Sequence, residues 1–274
     1  VGSPVLTDAL YAATGWAPSW CRDLCAYYQV RPSKALALGT RATGRRPFLP
    51  GSPTCQPVSG KTWEDLWTAS LRDTPDARDA FWREIGAWCV FRQAVRHRGR
   101  SFRFVLRRLR SWDSILEYGA GIAPVCWWLV RHAPWPLRLT IADVESEHLT
   151  FGLWRLRNHL VRHGDPITEV HRLYVQSAQQ PIMMGMYRVA TILETLEHLT
   201  NPLDTIEHLD KHLQPGGWLF EDFTPHGDAH AADLPQAQTE RPGVYAYVCR
   251  RYRLVAGRHW DAPDGGGVRT WRKC

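Results

Sequence analysis

Four groups of side chains in this chain of 274 residues have the types and spacing to do chemistry. Gly119 and Gly121 follow a short apolar run, Ile115-Leu116-Glu117-Tyr118, and precede a second one from Val125 to Arg131. Glycines there permit a tight turn and close backbone approach, and the start of a following helix offers free N–H groups. Glu117 places a carboxylate at the end of the first run. Asp143 ends the next one, roughly 20 residues beyond the turn, near the spacing at which an acid bonds ribose hydroxyls. Turn and acid together locate a nucleoside. Further on, Glu194, Glu197 and His198 form Glu-x-x-Glu-His. Two carboxylates and an imidazole can move a proton, or can ligate Mg²⁺, Mn²⁺ or Zn²⁺ with a later histidine such as His226 or His230 completing the set. The fourth group is a run of arginines, Arg92, Arg96, Arg98, Arg100, Arg103, Arg107, Arg108 and Arg110, with no acid until Asp113. Such a stripe could meet phosphate or an acidic partner, although arginines interleaved with Phe102, Phe104, Val105, Leu106 and Leu109 read first as the solvated face of an amphipathic helix.

The elements that must position these groups alternate. Ser114 to Tyr118, Leu137 to Ala142, Glu169 to Val175, Arg188 to Glu194 and Gly217 to Phe223 read as strands, the last following a Pro215-Gly216-Gly217 turn. Val125 to Arg131, Glu145 to His163 and Pro202 to Leu213 read as the helices between them. Alternation of this kind means a parallel sheet covered on both faces, with ligands beyond the carboxyl ends of the strands. Val244 to Val255 and Val268 to Lys273 read as an antiparallel hairpin, and Thr224 to Pro242 as a mobile loop. Before the sheet, residues 1 to about 60 are rich in Gly, Pro, Ser and Thr, which disfavours long regular elements after about position 38. Helices are expected from Thr62, with Trp63, Leu66, Trp67 and Leu71 in phase, and from Pro75, with Phe81, Ile85, Trp88, Cys89 and Arg92 in phase.

Composition argues against a membrane span: the mean hydropathy is −0.35 and no apolar run approaches the roughly 20 residues that a bilayer requires. The formal charge of +7 comes almost entirely from arginine. Seven cysteines, an odd number in a chain this long, read as reduced thiols of a cytoplasmic protein. Cys21 and Cys25 stand one helical turn apart, without the further ligands that a closed zinc site needs.

Glu117-Tyr118-Gly119-Ala120-Gly121, Ala142-Asp143, Leu193-Glu194-Thr195-Leu196-Glu197-His198-Leu199 and Leu213-Gln214-Pro215-Gly216-Gly217 together resemble the class I S-adenosylmethionine-dependent methyltransferases, in that family's order and approximate spacing. The resemblance covers about residues 110–274. It implies a Rossmann-like, doubly wound, mostly parallel seven-stranded α/β sheet with an antiparallel C-terminal hairpin; residues 1–110, which it leaves unexplained, read from their own composition and spacing as a helical and irregular extension expected to lid the acceptor pocket. It implies S-adenosyl-L-methionine as cofactor, held by Glu117, Tyr118, Gly119, Ala120, Gly121, Asp143, Val144 and Glu194, with Asp143 on the ribose. His198, Glu197 and His226 are the candidate catalytic residues, as general bases. In some relatives, the ubiquinone-type and small-RNA methyltransferases, a similar Glu-x-x-Glu-His takes part in metal binding; a metal at Glu194, Glu197 and His198 is the less favoured reading here. The third small position of the glycine motif is Ala123, followed by Pro124, and the adenine contact around Gln176 to Gln179 is ambiguous. The expected reaction is methyl transfer to a small-molecule acceptor, aromatic or acidic, by in-line displacement. The alternatives are a nucleic-acid acceptor on the Arg92 to Arg110 stripe, or a cofactor-binding module without turnover. A nicotinamide enzyme would not explain the Glu197-His198 and Pro-Gly-Gly elements.

Overall fold

A computed structural model describes residues 18–43, 74–97, 100–164, 168–176, 179–183, 185–223, 233–259 and 267–274. The expected helix from Thr62 and the candidate residues His226 and His230 lie outside them.

Seven strands form one sheet, β1 (Ser114–Tyr118), β2 (Arg138–Asp143), β3 (Glu169–Tyr174), β4 (Tyr187–Ile192), β5 (Leu213–Glu221), β6 (Tyr252–Ala256) and β7 (Arg269–Lys273). Their spatial order is β3-β2-β1-β4-β5-β7-β6. The first five are parallel, while β7 runs antiparallel to both β5 and β6. The order reverses between β1 and β4, and a crevice opens at such a switch point beyond the strand ends.

Alternation along β1 sends Ile115 into one apolar cluster and Leu116 and Tyr118 into another on the opposite face. Glu117 shares the side of Ile115. On that side lie α4 (Arg103–Leu106), α5 (Pro124–His132) and α6 (Glu147–His163), joined by α1 (Pro18–Tyr28), α2 (Pro32–Thr43) and α3 (Pro75–Arg96). The extension is thus part of the main core. Trp20 packs on Trp127 and Phe151, and Tyr27 on Phe151 and Trp154. Between Trp20 and Trp127 the Arg155 guanidinium stands 3.1 and 3.7 Å from the ring centres and pairs with Asp23 at 2.6 Å. Burial pulls that guanidinium down to about 9. The other face carries α7 (Pro202–Lys211) and α8 (Pro235–Arg251).

Four expectations are corrected. Pro235 to Pro242, expected in a mobile loop, and Val244 to Arg251, expected as a strand, form the single helix α8. Its buried residues Ala237, Arg241, Val244, Tyr245 and Val248 recur at helical spacing, and that periodicity outweighs the β-branched and aromatic composition. Helix α2 continues to Thr43, past the position where regular structure was expected to stop. Pro215-Gly216-Gly217 lies inside β5 as a register shift rather than as a turn before it. A Cβ at Gly217 would stand 2.7 Å from the Gln214 carbonyl oxygen, so the bulge needs glycine there. The arginine run is not one helix face: Arg92 and Arg96 lie on α3, Arg103 on the single turn of α4, and Arg108 over the Trp218 ring.

Candidate active site

The glycine turn is built by contacts from outside it. Gly119 and Gly121 both adopt left-handed backbone, with φ of 65° and 52°. A Cβ on Gly119 would meet the Thr195 side chain at 2.1 Å, and one on Gly121 would meet Gln93 at 2.4 Å. The β4 loop and α3 therefore clamp the turn, and Gln93 Oε1 accepts the Ile122 N–H at 3.0 Å. Ala123, at the third small position, is also left-handed, with φ of 53°. It is the N-cap of α5 and has no side chain to cap it.

Glu117 supplies that cap from the neighbouring strand. Its two oxygens accept the Val125 and Cys126 N–H groups at 2.9 and 2.8 Å. The residue is 4% exposed, and burial pushes its carboxyl up to about 7 against the pull of those two bonds. It is set back from the residues that line the cleft and holds the start of the helix that follows the glycine turn. Ala120 is also absent from the lining and donates its N–H to the Ala142 carbonyl.

Asp143 is at the cleft. Its Oδ2 accepts the Gly121 N–H at 2.6 Å and its Oδ1 the Val144 N–H at 2.7 Å, so the acid is fixed against the turn. Each carboxylate oxygen has two lone-pair sites, which leaves one per oxygen for hydroxyls. Tyr118, Gly119, Gly121, Asp143, Val144, Glu194 and His198, all expected from the sequence, line one cleft.

The lining residues not foreseen as site residues include Trp82 and Gln93 of α3, His148 of α6, Thr195, and the hydrogen-bonded pair Gln180 and Thr205. His148 is 2% exposed, with Nε2 3.0 Å from Ser146 Oγ and 3.7 Å from Asp143 Oδ2. The Trp82 ring stands 6.1 Å from His148 and 6.2 Å from His198, so one indole bridges the two imidazoles. Gln176 also lines the cleft, within the stretch left ambiguous by the sequence.

The Glu-x-x-Glu-His residues diverge. Glu194 lies at the rim with φ of 52°, its N–H donated to Asp222 Oδ1 at 2.6 Å and its carboxylate held by Arg96 and Arg100. His198 faces the cleft. Glu197 is 5% exposed and off the lining, and burial pushes its carboxyl well above the usual carboxylate range, reinforced by Asp222. Geometry thus sets Glu197, buried off the lining, apart from His198, which faces the cleft. Among the described residues no group of three or more His, Cys, Asp or Glu side chains is arranged to hold a metal.

A sequence family described as a methyltransferase domain matches residues 91–261 of the chain, more than half of it. The chain belongs to this family. It is a class I S-adenosylmethionine-dependent methyltransferase. Structural comparison finds the N-methyltransferase NodS from Bradyrhizobium japonicum WM9 in complex with S-adenosyl-L-homocysteine, at 16% identity, TM-score 0.43, covering 79% of this chain and 93% of that one. It also finds LaPhzM at 16% identity, TM-score 0.47, covering 74% and 60%, and the small RNA methyltransferase HEN1 at 14% identity, TM-score 0.47, covering 62% and 24%. No curated protein sequence matches the methyltransferase. No helix of the described residues is long and apolar enough to cross a membrane.

The cleft fits the methyltransferase's cofactor by the chemistry of its donors and acceptors. A fixed carboxylate suits two vicinal hydroxyls, the clamped glycine turn lets backbone approach closely, and Tyr118, Val144 and Val175 offer apolar surface beside the amides of Gln176 and Gln180.

Proposed function

We propose that the chain methylates a small molecule at an oxygen, nitrogen or carbon nucleophile. The observation that carries this reading is the convergence of the clamped glycine turn, the Asp143 carboxylate and the Thr195–His198 loop on one cleft at the β1/β4 switch point. Asp143 holds the ribose hydroxyls, Gly119 and Gly121 admit the methionine part, and Val144 and Val175 flank the base. When bound, S-adenosylmethionine supplies a methyl group already activated on a sulfonium. The protein's own task is then alignment, exclusion of water and management of one proton.

His198 is the residue proposed for that proton, because it faces the cleft while Glu197 is buried outside it. Trp82 and Leu199 supply an apolar wall beside the imidazole, which suits an acceptor with an aromatic body. Helix α3 is in this reading the lid and wall of the acceptor site, since it contributes both Trp82 and Gln93.

The test is calorimetry with S-adenosylhomocysteine on the wild type and on Asp143→Ala. Saturable binding that weakens at least tenfold in the variant supports the assignment. Equal heats in the two proteins, or none in either, would remove it.

A further inference from the structure

We infer that Arg96 and Arg100 form an exchangeable anion clamp at the mouth of the cleft, taking a carboxylate or phosphate on the acceptor in place of Glu194. The inference rests on the methyl-transfer reading above and names the class of acceptor: an aromatic small molecule that bears an anionic group.

The clamp is built from two elements. Arg96 closes helix α3 and Arg100 follows it across the connection to α4; each presents one Nη2 to a different oxygen of Glu194, at 2.6 and 2.9 Å. Two guanidinium groups thus face the Glu194 carboxylate, with Asp222 behind it on the Glu194 N–H, at the rim of a cleft that Glu194 and Trp82 both line. A guanidinium has five donors, and the contacts to Glu194 take one from each, so bidentate capacity remains. Both arginines are open to solvent, with 52% and 42% of their side chains exposed, against 20% for Glu194.

That exposure makes Glu194 a displaceable occupant. Ion pairs in water hold weakly, and replacing two of them costs an incoming anion about tenfold in affinity, less than two bidentate charge-assisted contacts return. The backbone points the same way. Glu194 sits in left-handed conformation and is tethered by its N–H to Asp222, so the residue stays at the rim whether or not its carboxylate is engaged. It therefore competes with a ligand for the arginines without leaving the site. His198, four residues on from Glu194, lines the same cleft with its ring 6.2 Å from the Trp82 indole, so the aromatic wall and the imidazole stand together on the cleft that the Glu194 rim borders.

The experiment titrates the full chain, saturated with S-adenosylhomocysteine, with benzoate, phenyl phosphate and the uncharged benzamide, read by calorimetry. Binding of S-adenosylhomocysteine is measured first and alone, so failure of the methyl-transfer reading is visible separately. Benzoate or phenyl phosphate should bind at least tenfold tighter than benzamide, and the tighter of the two identifies the anionic group. Arg96→Gln with Arg100→Gln should erase that preference while S-adenosylhomocysteine titrates as before. Glu194→Gln should strengthen anion binding about tenfold, because the internal competitor is gone. A latch that merely fastens α3 predicts the opposite sign for Glu194→Gln, and that result overturns the clamp. So does equal affinity for all three compounds, or a preference that survives loss of both arginines. A short single-stranded RNA that binds more tightly than phenyl phosphate, with the same dependence on the two arginines, would overturn the small-molecule assignment.

Discussion

Gly119→Ala tests how the glycine turn is held. Its φ of 65° is nearly that of Gly164, the C-cap of α6, at 64°. An alanine at either position meets the same left-handed penalty, about 1 kcal/mol. The surroundings differ: nothing lies within 4 Å of a Cβ on Gly164, whereas one on Gly119 would overlap Thr195 at 2.1, 2.4 and 2.7 Å. Thr195 cannot swing aside cheaply, since it is buried, β-branched and donates its hydroxyl to the Leu193 carbonyl at 2.9 Å. Overpacking of that kind costs a further 1–3 kcal/mol or so. Urea denaturation should therefore show Gly164→Ala losing about 1 kcal/mol and Gly119→Ala about 2–4 kcal/mol. Only Gly119→Ala should also weaken S-adenosylhomocysteine binding, because its strain is relieved by moving the β4 loop. Adding Thr195→Ala should restore part of both losses. Equal destabilisation by the two alanines would refute the steric argument, since the backbone contribution is common to both.

Three further outcomes follow from other parts of the molecule. Asp23→Ala should cost about 3 kcal/mol in chemical denaturation by stranding the buried Arg155 guanidinium, whereas Asp23→Leu with Arg155→Met should cost less; a double variant less stable than the single one would contradict that. Burial raises the Glu117 carboxyl from 4.5 in the unfolded chain to about 7 in the folded one. The folded protein then binds the extra proton between those values, and stability from this residue falls by about 3 kcal/mol as pH rises through that window. Denaturation midpoints against pH should flatten over that range in Glu117→Gln, and parallel curves for the two proteins would count against it. His198→Ala should lower kcat by about 10²–10⁴-fold while the S-adenosylhomocysteine Kd stays within about twofold, a split that stopped-flow and calorimetry resolve; unchanged turnover excludes the imidazole as base.

The parts of this fold that depend on neighbouring residues were readable from the chain. Short apolar runs ending in Gly119-Ala120-Gly121 and in Asp143 are local patterns, and parallel order follows from the helices between them. Glu117 shows a structural role that a local reading missed. A carboxylate at a strand's end suggests a binding site, but strand alternation puts it on the face opposite Tyr118, under an α5 whose N-cap, Ala123, cannot cap itself. Both signals, the alternation and the missing cap side chain, were available in the sequence. Trp82 and Gln93 gave no such signal, because a tryptophan or glutamine on an amphipathic helix looks the same whether it meets core, solvent or a cleft. His148 was hidden likewise, as an ordinary first-turn residue of α6 until packing set it beside Asp143.

Helix α3 touches the glycine turn through Gln93 and the His198 side of the cleft, proposed for the acceptor, through Trp82, with Arg96 on the same rod. Two occupancies joined by one stiff lever are not independent events: the first ligand to arrive sets the lever for the second. Steady-state rates should then obey a compulsory order of addition, with the spent nucleoside competing against its parent alone and inhibiting non-competitively toward the other reactant.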